Sequence, residues 1–320
     1  MALLEIKNLK TYFKILRGYV KAVDDVSFEI QEGEAFGLAG ESGCGKTTTA
    51  LTILRLLPSN AEVLGGQILF EGKDLLKMSD EEYRKDIRWK KISVIFQGAM
   101  NALNPVIRIG DQIAEAIMLH EDVSKEEALD RAGKLLDLVG IGASRLDRYH
   151  HELSGGMRQR VMIAMALSCN PKFVIADEPT TALDVIIAAQ VLKVMKDIQR
   201  KLGLSMLVIS HDLSMIAEVC ERLAIMYAGK IVELGDVITM YKTPLHPYTE
   251  RLIGAFPSIK NPKKVLTEIP GFPPDLLNPP PGCRFHPRCP YAMDVCRKEE
   301  PELIEVEKGH KVACHLISKR

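Results

Sequence analysis

Short apolar runs with period-two alternation open the chain. Residues 3–9 and 26–30 predict strands, and Val26-Ser-Phe-Glu-Ile30 alternates regularly. Glu34 to Ala39 is apolar and runs into a glycine-rich turn. Thr47 to Leu57 reads as a helix stopped by Pro58. Residues 66–70 and 92–96 (ISVIF) add two strands, and 107–168 reads as helical throughout. The acid-tipped strand KFVIAD follows, then a helix from Val185 to Leu202, the strand SMLVIS, a helix from Leu213 to Cys220, and two short strands near 222–233. Strands alternating with helices imply a parallel sheet, with the helical block inserted into it. After about residue 240 the pattern breaks into the Pro-rich stretches FPSIKNPKK and IPGFPPDLLNPPPGC, which read as linker or irregular surface structure.

Charge removes one class of function. The chain has 320 residues with 42 basic and 42 acidic side chains, so no global basic field exists to hold nucleic acid. The longest apolar window, Val161 to Leu167, is far short of the ~20 residues that cross a bilayer. The start, MALLEIKNLK, carries Glu5 and no small-residue cleavage site, unlike a signal peptide. A soluble, cytoplasmic protein is expected, one that would serve a membrane only through a partner. Four of the seven cysteines crowd the end: Cys283, Cys289, Cys296 and Cys314. Without a signal peptide, such a group suits a metal better than a disulfide framework.

Gly40-Glu-Ser42-Gly43-Cys44-Gly45-Lys46-Thr47 is GxxxxGK[ST] between a predicted strand and a predicted helix, the context that a phosphate loop requires. Backbone N–H groups of such a loop, Thr48 included, cradle phosphate oxygens with help from the helix dipole. Lys46 reaches the β- and γ-phosphates, and Thr47 offers its hydroxyl to Mg²⁺. Cys44 reads as a small residue at a variable position rather than a redox switch. Asp177 and Glu178 end a buried strand, where a parallel sheet presents its ligands. Asp177 is placed for the Mg²⁺ shell; Glu178 is the natural general base.

Leu153-Ser154-Gly155-Gly156-Met-Arg-Gln159 resembles the signature sequence of ABC ATPases. Serine and two glycines at a helix start also make a second anion-binding end. The resemblance implies that this end faces the γ-phosphate held by another subunit, so that two subunits sandwich two ATP molecules. It further implies a Q-loop glutamine at Gln97, a D-loop at Ala182-Leu183-Asp184, and a switch histidine at His211 that contacts the γ-phosphate and positions Glu178. An aromatic residue that stacks on adenine is expected near the start: Phe13 fits the offset, with Tyr12 and Tyr19 as rivals. The stretches QGAMNALNP, TTALDV, LHPYT and GCRFHPRCP look like the ATPase subunits of dipeptide/oligopeptide importers, and nickel importers of the same branch share much of this.

What that resemblance implies is a P-loop NTPase (RecA-like) core with a parallel sheet, an antiparallel β subdomain and an inserted α-helical subdomain, followed by a Cys-rich extension. The ATPase domain would span 1–240, with the helical part at about 99–168, and the extension 241–320. Implied partners are a second ABC ATPase subunit, identical or homologous, two transmembrane permease subunits and an extracytoplasmic peptide-binding protein, with no nucleic acid. The place of work is the cytoplasmic face of the membrane. A soluble ABC ATPase acting on nucleic acid or ribosomes is the main rival; the single GKT loop and the zero net charge speak against it. A catalytically dead scaffold is a second rival, opposed by Glu178 and His211.

The cysteine spacing is C-x5-C-x6-C-x17-C. Four thiolates can hold Zn²⁺ or a [4Fe–4S] cluster. Zinc ribbons use close C-x2–4-C pairs, and none exists here, so the wider spacing suits a cubane, as the family resemblance also implies. His286, His310 and His315 could each replace a ligand. A structural or docking role is expected for the group.

Overall fold

The computed structural model describes residues 2–98, 102–255 and 269–317. Ala99 to Asn101 of the QGAMNALNP stretch and the FPSIKNPKK segment lie outside the described residues. In chain order the elements are β1 (Ala2–Ile15), β2 (Gly18–Gln31), β3 (Ala35–Ala39), α1 (Lys46–Ile53), β4 (Ala61–Phe70), β5 (Lys73–Asp74) and α2 (Asp80–Glu82). There follow β6 (Ile92–Ile95), α3 (Ile109–His120), α4 (Lys125–Leu138), α5 (Gly155–Ala166), β7 (Phe173–Asp177), α6 (Val185–Leu202), β8 (Ser205–Ser210) and α7 (Leu213–Val219). The chain continues through β9 (Arg222–Tyr227), β10 (Lys230–Asp236), α8 (Val237–Lys242), α9 (Pro247–Gly254), β11 (Ile304–Glu307) and β12 (His310–Val312).

These elements form two compact units, one of Met1–Leu3, Ile30–Ala35 and Asp74–Ile209, the other of Leu4–Glu29, Phe36–Lys73 and Ser210–Arg320. In the first, β6, β7 and β8 pair in parallel, with Ile92 opposite Phe173 and Phe173 opposite Ser205. All three strands are buried along their whole length, which is why they read as continuous apolar runs. Val161 and Ile163 of α5 and Val191, Met195 and Ile198 of α6 are buried in the same unit. The block read as helical holds α3, α4 and α5. Ser124 caps α4 by accepting the Glu127 N–H at 3.2 Å.

The second unit carries Leu4–Glu29 and also the last residues, Ser210–Arg320. The strands expected at 3–9 and 26–30 are longer than their apolar cores: β1 and β2 have 14 residues each. With β4 and β5 they give the order β2-β1-β4-β5, antiparallel between β1 and β4. β3 pairs in parallel with β9, and β9, β10, β12 and β11 continue as an antiparallel series. The region beyond residue 240 is less irregular than its composition suggests. It holds the end of α8, all of α9, and the β11–β12 hairpin, whose second strand pairs with β10 through Val312 opposite Glu233. The core here is aromatic: Tyr248 lies 4.6 Å from Tyr227 and 5.3 Å from Phe285 between ring centroids, and all three are almost fully buried.

Candidate functional site

The phosphate loop connects β3 to α1 as the sequence requires. Gly45 has φ +109°, and a Cβ there would meet the Ala22 carbonyl at 2.1 Å, so only glycine fits. Lys46 lies across the loop, its Nζ donating to the carbonyls of Gly40 at 2.7 Å and Glu41 at 3.0 Å. Thr47 and Thr48 stand in the first turn of α1. Cys44 is buried; burial pushes its thiol up against the pull of the Lys46 ammonium, which leaves it unreactive.

The loop is held from outside by residues far along the chain. Tyr248 of α9 accepts the Glu41 N–H at 2.9 Å. The guanidinium of Arg288 forks onto the Glu41 carboxylate at 2.6 and 2.9 Å. A second tail arginine, Arg284, donates to the Ala228 carbonyl at 2.5 Å and pairs with Asp24, which also accepts from the Tyr12 hydroxyl at 2.6 Å. Burial disfavours the Asp24 carboxylate. The Tyr12 hydrogen bond, Lys230 and Arg284 outweigh it and hold the group below its ordinary range. Sequence reasoning missed Glu41, Tyr248, Arg284 and Arg288. The available signal was two arginines inside the cysteine block, Arg284 directly after Cys283 and Arg288 directly before Cys289.

Of the aromatic candidates, Tyr12 is committed to Asp24 and Tyr19 donates to Glu62 at 3.1 Å. Phe13 sits opposite Ala61 on β1 and shares a strand face with Thr11, whose hydroxyl is 3.1 Å from that of Thr52 in α1.

In the other unit, Asp177 ends β7 and is buried. Glu178 follows with φ +46° and is only half-buried. Gln97 comes to it across 81 residues of chain: Gln97 Nε2 donates to Glu178 Oε2 at 2.8 Å, and Thr181 Oγ1 donates to the same oxygen at 3.0 Å. Ser154 caps α5 by accepting the Met157 N–H at 3.4 Å. Gly156 lies so close to α6 that a Cβ would stand 2.4 Å from Ile187 Cγ2. Asp184 caps α6 by accepting the Ile187 N–H at 3.0 Å. His211 is exposed directly after β8.

Among the described residues, no group of three or more His, Cys, Asp or Glu side chains is placed to hold a metal ion. Three of the four tail thiols nonetheless feel the charge of the others. Burial pushes the Cys283 thiol up to about 12, with Cys296, Cys314 and Cys289 adding to the rise. Burial likewise lifts Cys314 to about 11, and raises Cys289. Opposing this, Cys283, Cys289 and Cys314 each accept a backbone N–H from two residues on, at Phe285, Tyr291 and Leu316. Of the histidines, His310 Nε2 lies 2.8 Å from Glu233 Oε1 and His286 Nδ1 lies 3.0 Å from the Cys283 carbonyl. His315 Nε2 meets the Glu299 carbonyl at 2.9 Å. No helix is long and apolar enough to cross a membrane among the described residues.

Residues 23–181 match the ABC transporter family, and residues 232–296 match the oligopeptide/dipeptide transporter C-terminal region. The chain is 48% identical over 320 residues to the dipeptide transport ATP-binding protein DppD of Bacillus subtilis strain 168, covering 99% of this chain and 95% of that protein. It is 43% identical over 315 residues to the oligopeptide transport ATP-binding protein OppD of Escherichia coli K12, covering 98% and 93%. Among solved structures, the ATP-binding cassette MJ0796 in a dimeric post-hydrolysis state bound to ADP and Pi is similar with TM-score 0.65 at 27% identity, covering 73% of this chain and 98% of that one. By its phosphate loop, its acid-ended strand, its signature helix and its near-complete overlap with these relatives, the chain belongs to the ABC transporter ATP-binding proteins, in the oligopeptide/dipeptide branch.

Proposed function

We propose that this protein hydrolyses ATP as one half of a head-to-tail pair on the cytoplasmic face of the membrane, and so powers uptake of di- and oligopeptides through two permease subunits fed by an extracytoplasmic peptide-binding protein. The phosphate loop from Ser42 to Thr48 holds the triphosphate, with Phe13 against the adenine. Thr47, Gln97 and Asp177 complete the Mg²⁺ shell. Glu178 takes the proton from the attacking water, while Lys46 and His211 stabilise charge gathering on the γ-phosphoryl group. Ser154, Gly155 and Gly156 offer the start of α5 to the nucleotide of the partner subunit, and Asp184 lines the same junction. The second ATPase subunit is identical or homologous.

The hydrogen bond from Gln97 to Glu178 carries this reading. It ties the residue at the entry to the helical region directly to the proposed base, so a permease docked on that region can act on the carboxylate that activates water. Val106 and Leu119, 79% and 74% exposed, are apolar side chains of that region open to such a partner. The deciding experiment reconstitutes the subunit with its co-purifying permeases in proteoliposomes. ATP-dependent uptake of labelled peptide, lost in Glu178→Gln, is the expected result. Uptake of nickel without peptide would move the cargo to the sister branch, and ATPase activity that copurifies with no polytopic protein would overturn the transport reading.

For the tail, we propose a [4Fe–4S] cluster on Cys283, Cys289, Cys296 and Cys314. The thiolates of a cubane bind four different irons and so stand further apart than the ligands of one ion. Four thiols in one segment, three of which sense the charge of the others, supply that donor set. Bound there, the cluster would cross-link a Pro-rich segment with little core of its own.

A further inference from the structure

We propose that Arg288 is a positioning residue for ATP: by gripping Glu41 it holds the phosphate loop in its binding shape, and it makes nucleotide affinity depend on the cysteine-bearing tail. Glu41 is the second residue of the GxxxxGK loop, and every part of it is engaged. Its N–H is held by Tyr248 at 2.9 Å, its carbonyl accepts from Lys46 at 3.0 Å, and its carboxylate takes the Arg288 fork at 2.6 and 2.9 Å. A shift of Glu41 therefore moves the carbonyl that restrains the phosphate-binding ammonium. A glycine-rich loop has few side chains with which to fix itself, so its shape must be imposed from outside.

Arg288 is built for that task. It is 7% exposed. Its Nε donates to the Pro270 carbonyl at 2.8 Å, Nη1 also reaches the Tyr227 hydroxyl at 3.3 Å, and Nη2 reaches the carbonyls of Ile269 and Gly271 at 3.4 and 3.3 Å. The guanidinium is thus fixed by the tail backbone on one side and presented to Glu41 on the other. Burying such a pair is a poor route to stability, because desolvation offsets most of the Coulombic gain. What a bidentate fork supplies is geometry. Arg288 also directly precedes Cys289, so whatever fixes the cysteine segment fixes the fork.

The test uses the full-length chain with Arg288→Met, Glu41→Gln and the double variant, reading ATP dissociation constant, KM, kcat and melting temperature. The inference rests on the ATPase reading above. A wild-type protein that binds no ATP would sink that reading, whereas variants that bind like wild type sink only the positioning role. Each single variant should weaken ATP binding and raise KM on the order of 10- to 100-fold, the scale of a loop displaced by about 1 Å, with a smaller change in kcat at saturating ATP. The double variant should be no worse than the worse single, because both remove one interaction. Should Arg288→Met fail to fold, Glu41→Gln, which keeps the side chain's size and removes only its charge, decides alone. A lowered melting temperature with unchanged KM would show a merely structural tether and overturn the proposal, as would effects that simply add.

Discussion

The most quantitative consequence concerns His246, the residue that starts α9. It is 1% exposed, its Nδ1 accepts the Tyr248 N–H at 3.0 Å, and its Nε2 is buried without a hydrogen-bond partner among the described residues. An acceptor at Nδ1 places the ring proton on Nε2, so the folded state needs the neutral imidazole. Burial lowers its pKa from 6.5 to about 4, with Glu233 pulling the other way. The unfolded chain therefore binds the proton between pH 6.5 and 4 while the folded chain does not. The stabilisation is present above the unfolded value and is lost as pH falls through this window. A gap of about 2.5 pH amounts to about 3 kcal/mol in full, of which about 2 kcal/mol is lost between pH 7 and pH 5. Substituting His246→Asn keeps an oxygen acceptor for the helix start and removes the titration. Differential scanning fluorimetry at pH 7 and pH 5 should then show the wild-type midpoint falling by about 4–8 °C more than that of the variant. The variant has a lower midpoint at pH 7, which cancels when each protein is compared with itself. Equal falls in the two proteins would refute the reasoning.

Three further outcomes follow. Glu178→Gln should bind ATP normally, reduce steady-state phosphate release to near background and accumulate a dimer on gel filtration with ATP; normal turnover in the pure variant would contradict its role as base. Ser154→Arg should abolish hydrolysis while sparing ATP binding to the monomer, and mixing it with Lys46→Ala should restore part of the activity, because one composite site is then intact. Protein purified without oxygen should be brown and hold iron and sulfide in near-equal amounts, and Cys289→Ser should lose the colour and open residues beyond about 270 to protease, read by limited proteolysis and mass spectrometry.

Local chemistry made much of the molecule readable. GxxxxGK requires a strand before it and a helix after it, and β3 and α1 supply them. The strands β6, β7 and β8 are apolar over consecutive residues because both their faces are buried, so their sequences stand out from surrounding helices. The ends of β1 and β2 were not readable: their outer halves carry exposed and half-buried residues that keep no alternation, such as Ile15 at 40% exposure. The β11–β12 hairpin was also hidden. All four residues of β11 are exposed, so it is held by backbone pairing and leaves no hydrophobic signature. Arg284 and Arg288 escaped for a different reason. Their partners Asp24 and Glu41 lie 260 and 247 residues away, and an arginine in a Pro-rich coil has the composition of a solvated one.

That long separation also sets an order in time. Glu41 leaves the ribosome early, and the side chain that grips it is 247 residues behind, a delay of roughly 12–50 s at ordinary rates of synthesis. Until Tyr248 and Arg288 have emerged, the nascent phosphate loop has neither of these outside supports, and a half-made chain carries its GKT sequence without the means to hold it in shape. If those contacts position ATP as proposed, a nascent chain that lacks them binds nucleotide more weakly than the finished protein.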